Sequence, residues 1–377
     1  MKHMDSSTSA PAARVAIVQP YVPTYRIAFF EGVRERMATQ GVNVTVVADT
    51  PSGAQNQRND SVNAPWLEHY RQRTIRVGRR SLRLGTAYRH WKSCDAVIVG
   101  HLGSSLDSNL ALALSGSRRL KVGVWGHIGS YVGEANPIDA LVERWQVRKA
   151  GQVFAYTPAG ARLATALGAH PGNVTTVMNT IDTGSLESAL AATTDAAARD
   201  FALQHSFDPN KSFCFVGGLD SSKRIDFLVS ALDRLWELDP EVRVLIAGKG
   251  ADESLLTRAV GRGQVVLLGY ADERLKALLA KTTRGILMPG RVGLIAVDAL
   301  VMGLPVLTTD WPFHAPEAEY LQPGESMLQS RDSPDAFADL MWNESKRPNP
   351  RTIKTEYPRL EDMINNYSTG ILNLLNG

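Results

Sequence analysis

The 377-residue sequence has little of several features that define whole classes of protein. It contains only two cysteines, Cys94 and Cys214, which excludes a disulfide-rich secreted domain; both are predicted to be reduced core residues. No apolar run approaches the roughly 20 residues that span a bilayer. Met1–Ala13 is small and polar, without an apolar segment, and is predicted to be a disordered tail rather than a signal peptide or an anchor.

A large excess of one charge is also missing. The chain carries 41 Lys and Arg against 38 Asp and Glu, and a net charge of +3 is too balanced for a dedicated polyanion binder. Hydrophobic residues make up 44% and charged residues 21%, which is typical of an ordinary globular protein. The length suggests two domains, each able to bury its own core.

Short β-branched runs alternate with longer amphipathic segments, the pattern of βα units around parallel sheets. The predicted strands are Val15–Val18, Val42–Ala48, Ala96–Val99, Val122–Trp125, Val153–Tyr156, Val174–Met178, Phe213–Val216, Val242–Ala247, Val265–Leu268, Gly285–Met288 and Val306–Thr308. The clearest helical stripe joins Ile225, Leu228, Leu232 and Leu235 and stops before Pro240. We therefore predict an α/β protein with two doubly wound, Rossmann-like domains that face a cleft.

The predicted domain boundary is the segment 185–210, which is rich in alanine and ends in an Asp-Pro-Asn turn. It is interpreted as a helix plus a polar connection, which together form a linker between domains at 14–184 and 211–360, after a tail over 1–13. A last amphipathic helix is predicted within 361–377, with a return to the N-terminal domain as one alternative for its course.

The second half carries three glycine-containing loops in order. Phe213–Asp226 reads strand, glycine turn, lysine and helix; Val244–Leu256 runs from a strand into Gly-Lys-Gly; Gly285–Asp310 joins a glycine loop, a helix and a further strand. Glycines let the backbone approach a ligand, and amides at a helix start attract anions. Together these loops predict a phosphate-binding site.

The order of these motifs resembles that of the retaining glycosyltransferases of family 4 (glycosyl transferases group 1), which have the GT-B fold. In the first half Val15–Val33, Val122–Tyr131 and Val177–Leu186 resemble the family's opening and middle motifs. The resemblance covers nearly the whole chain. It implies that 14–184 is the acceptor-side domain and that 211–360 is the nucleotide-sugar-binding domain.

The resemblance also implies a set of donor-binding residues. They are Gly217, Gly218, Lys223, Gly290, Arg291, Val292, Gly293, Leu294, Asp298, His314 and Glu317. Lys223 would contact the diphosphate, and Arg291 would replace the charge of the family arginine that is Gly218 here. The family's two glutamates map onto Gly290, which cannot contact a sugar, and Asp298, which would hold the ribose hydroxyls.

Each of these residues also has a structural alternative. Lys223 could be a solvated lysine at a helix start, Arg291 a surface arginine, and Asp298 a helix carboxylate facing solvent. His314 and Glu317 are three residues apart and would share one side of a helix, where Glu317 is either a ligand or a first-turn acid.

In the N-terminal half the resemblance places His127 beside the donor sugar and acceptor, so it is the predicted catalytic residue. His101 follows another strand and is a weaker candidate for the same cleft. Tyr25 and Arg26 match a form of the opening motif and are predicted to line the cleft, although packing by the neighbouring phenylalanines also explains this segment.

The segment from Arg71 to Lys92 is strongly basic and holds no Asp or Glu. It is interpreted as a solvated face, as a peripheral contact with anionic lipid headgroups, or as a site for an anionic acceptor. No nucleic-acid-binding motif accompanies it, so nucleic acid is not an expected partner. A cytoplasmic protein is expected, with attachment to the inner membrane face as the variant that the lipid contact implies.

These observations predict a metal-independent, retaining transferase that moves a sugar from a UDP- or GDP-linked donor to a hydroxyl of a glycan, lipid-linked or other acceptor. No cofactor besides this co-substrate is expected, and no Asp-x-Asp metal signature follows a suitable strand. Two alternatives stay open. One is a nucleotide-sugar 2-epimerase of the same fold. The other is a degenerate nucleotide-sugar-binding subunit, which is suggested by the replacement of the family's arginine by Gly218 and of its first glutamate by Gly290.

Overall fold

The computed structural model describes residues 12–50, 62, 64–78, 80–115, 120–129, 136–348 and 350–377. These residues divide into two compact units. The first unit holds the described residues up to Met178 together with Glu361–Gly377, and the second holds Asn179–Leu360. The predicted tail lies outside the described residues up to position 11, and Ala13 already belongs to a strand.

The first unit is built on a seven-stranded parallel sheet in the order β3-β2-β1-β6-β7-β8-β9, and a separate antiparallel hairpin pairs β4 with β5. The strands are β1 Ala13–Gln19, β2 Val42–Ala48, β3 Leu67–His69, β4 Gln72–Val77, β5 Arg80–Gly85, β6 Ala96–Gly100, β7 Lys121–Gly126, β8 Gln152–Ala155 and β9 Val174–Thr176. The helices are α1 Ile27–Ala38, α2 Tyr88–Trp91, α3 Leu106–Leu114, α4 Pro137–Lys149, α5 Pro158–Leu167 and the C-terminal α13, Leu360–Asn376.

Helix α13 completes the core of the first unit. Its Tyr367 packs edge-on against Phe29 and Trp125, with ring centroids 5.2 and 4.8 Å apart, and lies 4.7 Å from Phe154. Gly370 permits this approach, because a Cβ added there would lie 2.4 Å from Cε1 of Phe154. The helix is therefore an integral layer of the unit rather than an appendage.

The second unit holds a six-stranded parallel sheet in the order β12-β11-β10-β13-β14-β15. The strands are β10 Ser212–Val216, β11 Arg243–Ala247, β12 Val265–Gly269, β13 Ile286–Leu287, β14 Val306–Thr309 and β15 Met327–Ser330. The helices are α6 Thr183–Ala192, α7 Asp195–Gln204, α8 Ile225–Leu238, α9 Thr257–Gly261, α10 Glu273–Thr282, α11 Ile295–Met302 and α12 Pro334–Ser345. The predicted stripe of α8 is fully buried.

The predicted linker over 185–210 is wrong. This segment forms most of α6 and α7, which pack against α10 within the second unit. Leu186 is buried, and Lys281 at the end of α10 pairs with Asp195 at 2.8 Å. The helix predicted within this segment is present, in keeping with the high helix propensity of alanine, but it belongs to the second unit rather than to a linker. The units divide at Met178 and Asn179 instead.

Candidate functional site

The carboxyl edge of the second unit's sheet contains a switch point between β10 and β13. From β10 the chain proceeds to β11 and β12 on one side, then returns to β13 and β14 on the other. Loops that leave two such strands diverge and form a crevice, where doubly wound sheets bind their ligands. Two of the three predicted phosphate loops, those after Val216 and after Leu287, leave the sheet at this point.

The two loops are joined by hydrogen bonds. The N–H of Arg291 donates to the carbonyl oxygen of Ser222 at 2.9 Å, and Nζ of Lys223 donates to the carbonyl oxygen of Arg291 at 2.7 Å. Lys223 is half-buried in a short 3-10 helix before α8. The structure thus brings Lys223 and the Gly290–Leu294 loop together, as the resemblance implies.

Gly290 lies where the two loops cross. A Cβ added there would lie 2.5 and 2.6 Å from the carbonyl carbon and Cα of Lys223, and 2.6 Å from the carbonyl oxygen of Ser222. All three are backbone atoms, so no side chain fits without displacing the loop that carries Lys223. The absence of a glutamate at this position is therefore a requirement of this loop crossing.

Two glycine loops form a second close crossing beside the first. Gly217 has a φ of +147°, and its N–H donates to the carbonyl oxygen of Ala247 at 3.1 Å. A Cβ at Gly248 would lie 1.8 Å from the carbonyl oxygen of Gly217, and one at Gly250 would lie 2.1 Å from that of Leu219. The loops after β10 and β11 are thus stacked backbone on backbone.

Gly218 differs from these glycines because it is exposed and its surroundings are open. A Cβ there would approach Oδ2 of Asp220 to 3.2 Å, and its next neighbour is 4.0 Å away. Asp220 caps the short helix of Lys223 by accepting a hydrogen bond from the N–H of Ser222 at 2.9 Å.

His314 holds the Gly290–Leu294 loop from the other side. Its Nδ1 accepts from the N–H of Val292 at 3.3 Å, so the proton lies on Nε2, which donates to the carbonyl oxygen of Thr309 at 3.1 Å. Burial lowers the pKa of His314 below its usual range, and the charge of Lys223 acts in the same direction. His314 is therefore a neutral support of the loop.

Arg291 and the start of α11 complete this loop. Nε of Arg291 donates to the carbonyl oxygen of Phe313 at 3.2 Å, which places its guanidinium beside the loop that carries His314. Gly293 and Leu294 lead directly into α11. The first N–H groups of a helix have no acceptor within the helix, and they favour anions.

Asp298 is buried in α11 and pairs with Nζ of Lys276 at 3.1 Å. Burial raises the pKa of the Asp298 carboxyl, and the adjacent Lys276 opposes that shift. Nζ of Lys276 also contacts the carboxylate of Glu273 at 3.2 Å. The alternative of a solvent-facing carboxylate is therefore wrong, and an Asp298 that binds ribose would do so as a member of an ion pair.

Glu317 is buried in the short 3-10 helix Pro316–Tyr320. Its Oε1 accepts a hydrogen bond from Nδ2 of Asn179, and the hydroxyl of Tyr320 donates to the carbonyl oxygen of Asn179 at 3.2 Å. Glu317 thus ties the helix to the first residue of the second unit, which indicates a structural contribution.

The first unit places His127 and His101 differently. His127 follows β7 directly, is exposed, and lies with its ring centroid 4.4 Å from that of Tyr156. His101 follows β6, and its Nε2 lies 3.1 Å from the carbonyl oxygen of Glu143 in α4. Burial lowers the pKa of His101. His127 therefore reaches solvent at the carboxyl edge of the sheet, whereas His101 supports α4.

Tyr25 and Arg26 differ in their exposure to solvent. The guanidinium of Arg26 is buried within 6 Å of four aromatic rings, while 44% of Tyr25 is exposed. Of the two side chains, only that of Tyr25 is exposed to solvent. The packing alternative for this segment accounts for Arg26.

Sequence reasoning missed residues that build the site through their backbone. Arg224 has left-handed backbone angles, φ 54° and ψ 53°, and its guanidinium donates to the carbonyl oxygen of Pro289 at 3.3 Å and to the carboxylate of Asp332. Its guanidinium carbon also lies 4.2 Å from the ring centroid of Phe227. Adjacency to Lys223 is the signal that could have identified Arg224. Among the residues that the structure describes, no three His, Cys, Asp or Glu side chains form a group that could hold a metal ion.

Residues 210–343 match the protein family described as glycosyl transferases group 1. This stretch lies within the second unit and contains every predicted donor-binding residue described above, but none of the candidate residues of the first unit. No curated protein sequence matches the chain.

Solved structures of similar fold cover almost the whole chain. HepE of Anabaena in complex with UDP is 14% identical over 96% of this chain and 95% of its own, with a TM-score of 0.59. Sucrose-phosphate synthase of Thermosynechococcus elongatus is 15% identical, with coverages of 96% and 95% and a TM-score of 0.62. UDP-GlcNAc 2-epimerase of Methanocaldococcus jannaschii is 13% identical, with coverages of 96% and 99% and a TM-score of 0.55. The likeness shows the GT-B fold of two Rossmann-like domains, as predicted.

Proposed function

We propose that this chain, which carries a glycosyl transferases group 1 domain in a GT-B fold, is a retaining, metal-independent glycosyltransferase of family 4 type. It moves a sugar of the hexose type from a nucleotide diphosphate sugar to a hydroxyl acceptor, without a further cofactor. The observation that carries this proposal is the crossing of the Lys223 and Gly290–Leu294 loops at the switch point of the second unit.

The chemistry follows from where charge develops. As the bond between the sugar's anomeric carbon and the diphosphate breaks, negative charge grows on the leaving oxygen. The Lys223 ammonium, the Arg291 guanidinium and the N–H groups of Gly293 and Leu294 before α11 are the donors proposed to stabilise this charge. The acceptor oxygen forms the new bond on the same face, and its proton passes to the departing diphosphate.

A covalent sugar–enzyme intermediate is not part of the proposal. It would need a free carboxylate, whereas Asp298 is paired with Lys276 and Glu317 with Asn179. His127 is proposed to contact the sugar and acceptor, because it is an exposed imidazole at the carboxyl edge of its own sheet. The acceptor is proposed to be a glycan or a lipid-linked hydroxyl, with the basic segment 71–92 as a contact for an anionic membrane.

The donor site is tested with Lys223→Ala. UDP is the first nucleotide to test, since it is bound in the Anabaena HepE structure, and GDP is the second. Affinity measured by calorimetry should fall about 10-fold or more, as expected when a hydrogen bond to a charged group is lost. Lys281→Ala is the matched control, because Lys281 lies at the end of α10 and therefore at the opposite edge of the sheet. Undiminished affinity in Lys223→Ala would overturn the assignment.

Catalysis is tested separately with His127→Ala. Transfer should fall by about 10²-fold while UDP affinity stays within a few-fold, because the contact is made to the reacting groups. The melting temperature should not change, since the side chain is exposed. Unchanged activity at unchanged stability would remove His127 from the site.

The epimerase alternative is supported by the similar fold of UDP-GlcNAc 2-epimerase. An epimerase would convert a UDP-sugar without any acceptor, which NMR of the reaction mixture detects. A binding subunit would bind UDP and turn over neither with nor without an acceptor. Transfer that requires an acceptor and leaves the C2 configuration unchanged distinguishes the proposed function from both.

A further inference from the structure

Helix α4 carries mostly polar side chains on its inward face and apolar ones on its outward face, with Val147 as the buried apolar exception. Its inward face carries Gln146, which is fully buried and bonds both the N–H and the carbonyl oxygen of Leu102, at 3.1 and 2.9 Å. Glu143 also points inward, because its Oε1 accepts from the N–H of Gly103 at 3.1 Å. A surface helix normally buries its apolar stripe and exposes its polar one.

The outward face of α4 is apolar at its centre. Ile138, Leu141 and Trp145 follow the spacing i, i+3, i+7, so they form one stripe along the helix. Their exposed fractions are 54%, 69% and 39%. We call these three residues the α4 stripe. Contiguous apolar surface of this kind marks an interaction site.

Basic residues border the α4 stripe. At 100° per residue, Arg144 lies on one side of the stripe and Lys149 on the other, and both are exposed. The acidic residues of the helix, Asp139 and Glu143, lie toward the body of the unit. An apolar stripe with cations on both flanks matches the headgroup and acyl boundary of an anionic bilayer, where tryptophan is favoured.

The hairpin of β4 and β5 also exposes an apolar side chain next to a basic one. A Cβ at Gly85 would lie 2.3 Å from Oδ2 of Asp107 in α3, so this face of the hairpin packs on the unit. Successive residues of a strand point to opposite faces, and Leu84 is accordingly 46% exposed, paired across the hairpin with exposed Arg73. Because α3 contacts both β5 and α4, the hairpin and helix α4 lie next to the same helix.

We propose that the α4 stripe, with the outer face of the β4–β5 hairpin beside it, docks the protein on an anionic lipid bilayer. The stripe enters the interface while Arg144, Lys149 and Arg73 contact lipid phosphates. This inference extends the membrane contact proposed above for the basic segment 71–92 to a helix outside that segment. It does not depend on the transfer reaction, because docking involves none of the donor-site residues. None of the helices in the described part of the chain is long and apolar enough to cross a membrane.

The test is flotation of the full chain with vesicles. Vesicles of phosphatidylcholine alone should bind little, and an equimolar mixture with phosphatidylglycerol should bind strongly, less so as salt increases. Leu141→Ser should weaken binding about 10-fold through lost apolar contact. Arg144→Glu with Lys149→Glu should weaken it about 25-fold or more, at about 5-fold for each charge removed.

The matched controls lie on α7 of the second unit, where Leu203 is 77% exposed and Arg199 is also exposed. Leu203→Ser and Arg199→Glu should leave vesicle binding unchanged, and circular dichroism should show every variant folded. Absence of binding by the wild type, or equal losses in both sets, overturns the proposal. A dimer in solution that Leu141→Ser dissociates would assign the stripe to a second copy of the chain and also overturns it. UDP affinity, measured in parallel, should be the same in all variants.

Discussion

At the scale of single residues, two glycines replace residues that the family resemblance leads one to expect, and they do so for different physical reasons. Gly290 is pressed against the backbone of Ser222 and Lys223, whereas Gly218 faces solvent beside the flexible end of Asp220. The sequence identifies both departures but cannot tell them apart, because the difference arises from a loop crossing between residues far apart in sequence.

The two glycines should respond in opposite ways to substitution. Gly218→Arg should be accommodated and should raise UDP affinity about 10-fold, because a guanidinium adds a charge-assisted hydrogen bond to the diphosphate. Gly290→Ala should lower the free energy of unfolding by about 1–3 kcal/mol and weaken UDP binding, since the loop that carries Lys223 must move. Calorimetry and urea unfolding measure both. Equal tolerance at the two positions would contradict this account of the crossing.

His314 should make the second unit sensitive to acid. Its pKa is lowered by burial, assisted by Lys223 and opposed by Asp332, while in the unfolded chain it titrates near 6.5. Below that pH the unfolded chain binds the additional proton, so the free energy of unfolding falls as the pH is lowered through 6.5. In the folded chain His314 takes up the proton only at lower pH, because its pKa is lowered there. Protonated Nδ1 cannot accept from the N–H of Val292, so UDP affinity should fall at a pH below the range in which stability begins to fall.

His314→Gln is the variant that isolates this effect, because glutamine supplies a donor and an acceptor without titrating. The pKa of His101 in the first unit is also lowered, so His101 contributes a pH dependence in the same direction. The quantity to compare is therefore the difference in free energy of unfolding between wild type and variant at each pH. A pH dependence that is identical in both proteins would exclude His314 as its source.

At the scale of secondary structure, the strands predicted from β-branched runs are all present, and the boundaries of β2 coincide with the prediction. Those runs are readable because strands of a parallel sheet are buried on both faces. The sequence missed β4 and β5, which contain several arginines, and the short edge strands β3 and β15. These strands lie outside the apolar centre of a sheet, so hydrophobicity does not mark them.

The sequence predicts one helix within 185–210, where the structure has most of two, α6 and α7. Alanines leave no strong apolar stripe, so the sequence does not indicate that this segment packs on α10 in the second unit. Helix α13 carries large apolar residues at helical spacing, with Tyr367 and Ile371 fully buried. Its destination in the first unit is a tertiary fact that its own sequence does not contain.

Gly370 tests how closely α13 packs. Gly370→Leu would drive a side chain into Phe154 and should lower the free energy of unfolding of the first unit by about 1–3 kcal/mol or more. Gly261→Ala in α9 is the matched control, because a Cβ there meets no atom within 4 Å. Urea unfolding followed by hydrogen exchange assigns the loss to one unit. Equal stability of both variants would contradict the observed packing.

At the scale of the whole molecule, the first unit is not one continuous stretch of the chain. The first unit is completed only by the last residues of the chain, whereas the proposed donor site lies entirely within the second unit. The sequence motifs suffice to propose a donor site because its loops follow strands that are consecutive or nearly so in the chain. The motifs do not identify the acceptor group that His127 or Tyr25 would contact, because the chemical identity of the acceptor is not written in this chain.

This organisation predicts separate consequences of removing residues 361–377. The first unit would lose the buried side chains of Met363, Ile364, Tyr367, Ile371 and Leu374. At about 1.5–3 kcal/mol each, their burial contributes on the order of 10 kcal/mol, which is comparable to the total stability of a domain. The first unit should therefore unfold, with rapid hydrogen exchange across β1, β6 and β7, and transfer activity should disappear.

The second unit should survive the same truncation, because α13 from Glu361 onward belongs to the first unit's core. UDP should bind with an affinity within a few-fold of the full chain and should slow exchange in the loops around Lys223 and Gly290. A chain that ends at Leu375 is the control, because it removes only exposed residues and keeps the Leu375 carbonyl that accepts from Lys121. If the longer truncation abolished UDP binding while the second unit kept its protected core, the nucleotide would need residues of the first unit, and a donor site confined to the second unit would be wrong.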